Sequence, residues 1–299
     1  MSRSMRRAML IAALAVPVAG VSAQERYSPV VLHLSPTPRA AVLGSNPGVR
    51  DVEALFSNPA LAGLVAGTVA GITRYDAASL ITLASAASLG SFNVSIGAQY
   101  LAAHADAVRL PLWSYSLMFG GPIPVSSVVG SFALSSTVRG MRVGAALKVL
   151  DERQGSGEDH VPSLDLGLSR DIGRITTGLS IQNIGAGIRY GGWRPQLPLR
   201  ISAGAATYGF VAGPFDLGGS AAIAILPDGD VRPSAGFEVG YVPLDGYLFQ
   251  ARVGLRRPEL QAQQPFSFGG SASLDRFTLD YAYEDWEGGS AHRLALRVR

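Results

Sequence analysis

The sequence predicts an all-β chain: a single transmembrane antiparallel β-barrel of about fourteen strands with a short N-terminal helical plug segment. Three observations carry that expectation. Only 16% of the 299 residues are charged and 47% are hydrophobic, whereas a water-soluble domain carries about 25% charged residues. Beyond the first two dozen residues no apolar run reaches 18, so helices cannot do the crossing. From about residue 66 onward, apolar and polar residues alternate over stretches of about ten, the length a tilted strand needs to cross a bilayer. A soluble β-sandwich shows the same alternation, but over strands of about five or six residues.

Residues 1–23 read as a secretory signal peptide. Arg3, Arg6 and Arg7 form the positive start, Ala8 to Ala19 a short apolar core, and Val21-Ser22-Ala23 the small residues before a cleavage site. The competing reading, an N-terminal anchor, fails on the shortness of the core. Removing this segment takes away three of 25 basic residues and leaves 22 against 22 acidic ones. With the charges balanced, nothing in the sequence argues for nucleic acid as a partner.

Residues 24–65 are expected to form the plug: an extended, proline-punctuated stretch to 45, then a helix. Asn46 can cap that helix, Pro47 suits its first position, and Val49, Val52, Leu55 and Phe56 recur at helical spacing. Asn58-Pro59 would end it, because a residue before proline avoids the α region.

The barrel is assigned to 66–299, with strands near 66–75, 78–87, 91–101, 129–138, 141–151, 161–170, 174–183, 198–208, 214–224, 233–243, 247–256, 266–274, 276–284 and 291–299. The 105–128 stretch leaves two counts open, fourteen with a long loop or sixteen with an extra hairpin. On one face, Met141, Val143, Ala145, Leu147 and Val149 oppose Arg142, Gly144 and Lys148; later, Phe277, Leu279, Tyr281 and Tyr283 oppose Asp280 and Glu284. A basic residue facing mid-bilayer lipid would cost about 2–4 kcal/mol. The charges Arg142, Lys148, Asp165, Arg200, Glu238, Arg252, Asp280, Glu284, Arg293 and Arg297 are therefore assigned to the lumen. The last hairpin should bring Glu284 near Arg293 and Asp280 near Arg297. These charges brace the wall in one reading and select solutes in the other.

Other features give weaker signals. His33, His104, His160 and His292 lack metal-ligand spacing, no catalytic triad can be argued, and no cofactor is implied. Asp151-Glu152 and Glu158-Asp159 around Gly155-Ser156-Gly157 read as a solvated loop without the spacing of a calcium loop. Gly218-Gly219 and Gly269-Gly270 would mark bends or close approach to the plug. Trp193 and Trp286 near turns would suit the membrane interface.

Three stretches carry a family resemblance: Arg39-Ala40-Ala41 through Asp51 to Phe56-Ser57-Asn58-Pro59-Ala60; Gly178-Leu179-Ser180-Ile181-Gln182-Asn183-Ile184-Gly185 followed by Leu197-Pro198-Leu199-Arg200; and Leu279-Asp280-Tyr281-Ala282-Tyr283 with Ala291-His292-Arg293-Leu294-Ala295-Leu296. In their order and spacing they resemble the PorV/PorQ family, a branch of the FadL-like outer-membrane barrels. Two departures are a terminal Arg299 where the family usually ends in an aromatic residue, and a longer segment after the third strand. The resemblance implies a fourteen-stranded barrel with its N-terminal segment in the lumen, Asn58 and Pro59 belonging to a motif that precedes the first strand. FadL-like members pass hydrophobic compounds across the outer membrane, and PorV-like members are non-catalytic accessory subunits of type IX secretion that capture cargo at the cell surface. The partners so implied are outer-membrane lipid, the barrel-insertion machinery, and either hydrophobic small molecules or secretion-system subunits.

Overall fold

The structure, a computed structural model, describes residues 29–75, 78–103, 125–154, 157–189, 195–208, 210–260, 263–286 and 289–299. The signal peptide, the start of the plug, His104, Trp193 and most of the 105–128 stretch lie outside these residues.

The wall strands are β1 (Gly67–Tyr75), β2 (Ala78–Leu89), β3 (Phe92–Ala103), β4 (Val125–Val138), β5 (Met141–Gln154), β6 (Gly157–Ile172), β7 (Ile175–Gly185), β8 (Arg200–Thr207, continued by Phe210–Ala212), β9 (Phe215–Ile225), β10 (Val231–Tyr241), β11 (Tyr247–Arg256), β12 (Gln263–Leu274), β13 (Phe277–Trp286) and β14 (Gly289–Val298). Each pairs antiparallel with its sequence neighbour, and β1 pairs with β14 from Thr68↔Val298 to Arg74↔His292, closing a fourteen-stranded ring. β3 pairs directly with β4 along its whole length, so no further hairpin enters the wall between them. That fixes the count at fourteen.

Closure turns the usual distribution of residues inside out. Leu83, Phe132, Leu147, Phe249, Phe268 and Leu296 are about half exposed on the outer face. Their strand neighbours Lys148, Asp165, Arg252, Asp280, Glu284, Arg293 and Arg297 are buried in the lumen. One end of the barrel carries tight turns. Arg139 and Gly140 both take positive φ (50° and 77°) between β4 and β5, the geometry of a two-residue hairpin that matches strand twist. The other end carries the longer connections 104–124, 186–199, 226–230 and 257–262, the end that faces the cell exterior in bacterial barrels.

Two expectations about faces need correction. The acids at 151–159 lie on strands rather than in a loop, because β5 and β6 continue pairing past the membrane belt; Glu152 points inward and is buried. Trp286 is not at the membrane interface. The alternation that sends Asp280, Ala282 and Glu284 inward sends Trp286 inward as well, and it is 4% exposed.

The plug also departs from expectation. The helix lies earlier, at α1 (Pro38–Leu43), within the stretch read as extended. Thr37 caps it by accepting from the Ala40 amide, Pro38 takes the first position, and Gly44 ends it at φ 76°. Residues 46–57 do not form the expected helix. Asn46 accepts from the Gly48 amide and donates to the Ala205 carbonyl of the wall; these bonds compete with a helical turn. Asp51 then starts a short 3-10 turn, Val52–Phe56, and Asn58 starts another, Pro59–Leu61.

The plug fits because the wall offers glycines where it passes. A Cβ on Gly178 would stand 1.9 Å from the Pro47 carbonyl oxygen, one on Gly144 2.3 Å from that of Pro59, and one on Gly254 1.9 Å from that of Val42. Of the doubled glycines, Gly269 shows the close approach, with a Cβ 3.0 Å from Val42. Above the plug, towards the long-loop end, Val30, Val31 and Leu34 pack with Leu80, Leu101, Leu150, Ile188, Leu197, Leu260 and Trp286.

Gly254→Ala should displace α1 and cost about 1–3 kcal/mol in urea unfolding of the purified barrel. Gly130→Ala, where a Cβ meets nothing within 4 Å, should be neutral in the same measurement.

Candidate functional site

The lumen is built around a plug-to-wall ion network. Arg39 on α1 reaches Asp51 at 2.7 Å within the plug and Glu238 on β10 at 2.7 Å. Glu238 also accepts from Arg252 on β11 at 3.1 Å, and Arg252 reaches Asp280 on β13 at 2.8 Å. Arg297 on β14 stands 3.3 Å from each of Asp280, Asp51 and Glu53. Thr37 donates to Glu53 at 2.7 Å. Three guanidinium groups thus face four carboxylates, and plug and wall hold each other in one register.

A second group lies towards the long-loop end. Glu284 accepts from Arg293 at 2.8 Å and pairs with Arg256. Arg293 also donates to the Ser35 carbonyl at 2.8 Å and to the Tyr75 hydroxyl at 2.9 Å. Arg200 pairs with Glu259, which lies 3.7 Å from His33. A third group braces the opposite wall. Lys148 contacts Asp165 at 2.6 Å, and Asp165 accepts from the Asn183 amide at 2.7 Å across the β6–β7 bulge. Arg142 reaches Asp171 at 2.6 Å, and Arg50 of the plug pairs with the same carboxylate.

Each lumenal charge expected from the sequence therefore faces inward and contacts an opposite charge. Asp280 meets Arg297, and Glu284 meets Arg293. Asn58 donates to the carbonyls of Pro47 (2.8 Å) and Leu168 (3.1 Å) and accepts from Ala60, pinning the plug turn to β6; Pro59 packs at Gly144 and Gly167. The sequence reading missed Arg39, Asp51 and Glu53. They sit in a segment without strand periodicity, and their partners are distant in sequence: Arg39 and Glu238 are 199 residues apart.

Asp51 and Glu53 titrate in opposite directions. Burial pushes the Asp51 carboxyl up, but Arg297 and Arg39 outweigh it and hold it well below the usual carboxylate range. Burial and the neighbouring Asp51 charge push Glu53 up, and Arg297 and Thr37 offset this only in part. Below the plug, a polar cavity of about 200 Å³ opens towards the tight-turn end, lined by Arg39, Glu238, Gln250, Arg252, Thr278 and Arg297 among others.

On the outer face of the β5–β6 hairpin, Asp151, Glu158 and His160 bring ligand atoms within 4.8 Å of one another. Arg153 stands among them, 3.3 Å from Asp151 and 3.2 Å from Glu158, and supplies the positive charge there.

No family model matches the chain, and no curated protein matches it in sequence. Solved structures do. The toluene transporter TbuX of Ralstonia pickettii superposes with a TM-score of 0.57 at 12% identity, covering 88% of this chain and 98% of that one. The toluene transporter TodX of Pseudomonas putida gives 0.54 at 10% identity, with 91% and 97% covered. A FadL homologue of Pseudomonas aeruginosa gives 0.53 at 12% identity, with 88% and 97% covered. At such identities the likeness is one of fold: a FadL-like barrel.

The two plug acids should respond oppositely to pH. A depressed Asp51 stabilises docking above the ordinary carboxylate range, and that contribution is lost only as pH falls through its lowered value. A raised Glu53 contributes stability at low pH that is lost as pH rises through its raised value. Hydrogen-exchange protection of α1 should therefore rise as pH falls from neutral towards the ordinary carboxylate range. Glu53→Gln should remove that rise and protect at least as well at neutral pH, whereas Asp51→Asn should lower protection by about 2 kcal/mol through lost charged hydrogen bonds.

Proposed function

We propose that this barrel lies in the outer membrane and passes small, mostly hydrophobic compounds across it, with the plug as the moving part and no catalysis involved. The observation that carries this reading is the division of the lumen. A packed apolar cluster around Val30, Val31 and Leu34 fills the lumen towards the long-loop end, and the ion-paired part of the plug closes the path beneath it. Paired charges suit such a closure. Removing buried charges from water costs several kcal/mol per ion, so buried pairs hold a register without adding much stability. A plug latched in this way opens only as water or new partners reach the charges it releases. The toluene transporters TbuX and TodX share the fold, which supports the class of compound.

Within the FadL-like barrels we place the chain in the PorV/PorQ branch on its Asn58-Pro59-Ala60 motif. In that branch the barrel can serve as the membrane anchor of a type IX secretion subunit. The filled lumen is the observation that favours this second reading.

The test exploits a chain without cysteine. A Cβ on Gly236 stands 3.1 Å from the Leu43 Cα, closer than a relaxed disulfide requires, so L43C/G236C would form a strained, readily reduced bond that locks α1 to β10. Cells carrying the barrel should take up labelled toluene faster than cells without it. The oxidised lock should abolish that excess, and reductant should restore it. Uptake independent of the barrel would remove the transport reading and leave the anchor.

A further inference from the structure

The apolar cluster holds a buried polar atom that finds no counterpart among the described residues. Trp286 is 4% exposed, its ring meets Tyr75 edge to face at 5.3 Å, and its Nε1–H has no hydrogen-bond partner among the described residues. A buried donor left unpaired is costly, and each such case in a native structure calls for an explanation. The surroundings supply none. Trp286 belongs to the cluster of Val30, Val31, Leu34, Leu101, Leu260 and neighbouring aliphatic side chains. The ionic layer beneath is occupied with itself: the Tyr75 hydroxyl accepts from Arg293, and Glu284 serves Arg293 and Arg256.

The part of the chain in this cluster is also the part of the plug least tied down. Val30–His33 is a single 3-10 turn without a side-chain cap, closed by one backbone bond from Leu32 to Pro29. Its polar ties are His33, 3.7 Å from Glu259, and then Ser35, whose carbonyl accepts from Arg293 and whose hydroxyl accepts from Arg256. Among the described residues, Val30, Val31, Leu32 and Leu34 therefore hold their place mainly through apolar contact. A ligand of similar apolar bulk can replace those contacts, and a ligand with an acceptor adds a bond that Val30, Val31 and Leu34 cannot make.

Resting on the transport reading, the geometry points to Trp286 as a specificity-determining residue: the cluster takes compact apolar compounds bearing one hydrogen-bond acceptor, such as aryl ketones, in preference to the matching hydrocarbons. The compound displaces Val30, Val31 and Leu34, and its acceptor oxygen receives the indole N–H.

The test compares acetophenone with ethylbenzene, which match in size and differ in the acceptor. Both are titrated at equal free concentration into the purified full chain with 15N-labelled tryptophan, in detergent. Acetophenone should bind about fivefold tighter, the gain expected of one neutral hydrogen bond, and should shift the Trp286 indole N–H resonance downfield, with ethylbenzene leaving it in place. Trp286→Phe identifies that resonance by its loss and should abolish the preference for acetophenone over ethylbenzene. Equal affinities with an unmoved resonance would overturn the assignment of Trp286 and leave the transport reading standing. Binding of neither compound would overturn both. The affinity ratio of the two compounds is read on the unsubstituted protein, so that result does not depend on the variant folding.

Discussion

In hydrocarbon there is no water to satisfy a backbone amide, and each one left unpaired costs several kcal/mol. The ladder between β1 and β14, from Thr68↔Val298 to Arg74↔His292, removes the last open edge. The other features follow from that ring. Once it is closed, a strand has one face to lipid and one to an enclosed lumen. Leu147 and Lys148 are chain neighbours with opposite surroundings for this reason. The enclosed face then has its own constraint: charges excluded from lipid are also largely excluded from water, and they must meet one another.

That second constraint explains why the plug and the wall share one network. Arg252 and Arg297 on the wall and Arg39 on the plug compete for Asp51, Glu53, Glu238 and Asp280. The wall pairs Arg252 and Arg297 with Glu238 and Asp280, while the plug carries two acids against Arg39, so docking gives the surplus plug acid a partner in Arg297. Glycines at 144, 178 and 254 let the plug backbone lie against the wall, and hydrogen bonds from Asn46 and Asn58 fix its path. The outer cluster is held differently, by apolar contact around a single 3-10 turn. A firm ionic latch therefore underlies a soft apolar mouth, the arrangement on which the functional reading rests.

The wall was legible in the sequence because lipid and lumen differ in polarity, and alternation reports that difference directly. It fails where the difference fades. Asp151, Arg153 and His160 face outward past the membrane belt, so β5 and β6 lose their pattern and run on beyond the expected ends. Trp286 was misplaced because residue type was weighed above parity, and parity decides the face. The plug was legible only as a segment. It is enclosed on all sides, so its apolar residues mark no single helical face, and Val49, Val52, Leu55 and Phe56 reflect contacts with different strands. Among the charges, the sequence reveals the face and, within one hairpin, the partner: Asp280 with Arg297 follows from a short turn. Lys148 with Asp165 is likewise a diagonal pair within one hairpin, two positions from the direct partner Ser163, whereas Arg39 with Glu238 depends on closure of the whole ring, which local spacing does not encode.

The division of faces can be read on one residue type in one experiment. Methyl groups of leucine are observed by NMR in bilayers containing lipid spin-labelled near the chain end. Leu83, Leu147 and Leu296, which lie on the outer face, should broaden strongly, while Leu80, Leu101 and Leu150, buried in the lumen, should remain sharp. Equal broadening of both sets, or protection of Leu147 with broadening of Leu150, would contradict the closed barrel and everything placed inside it.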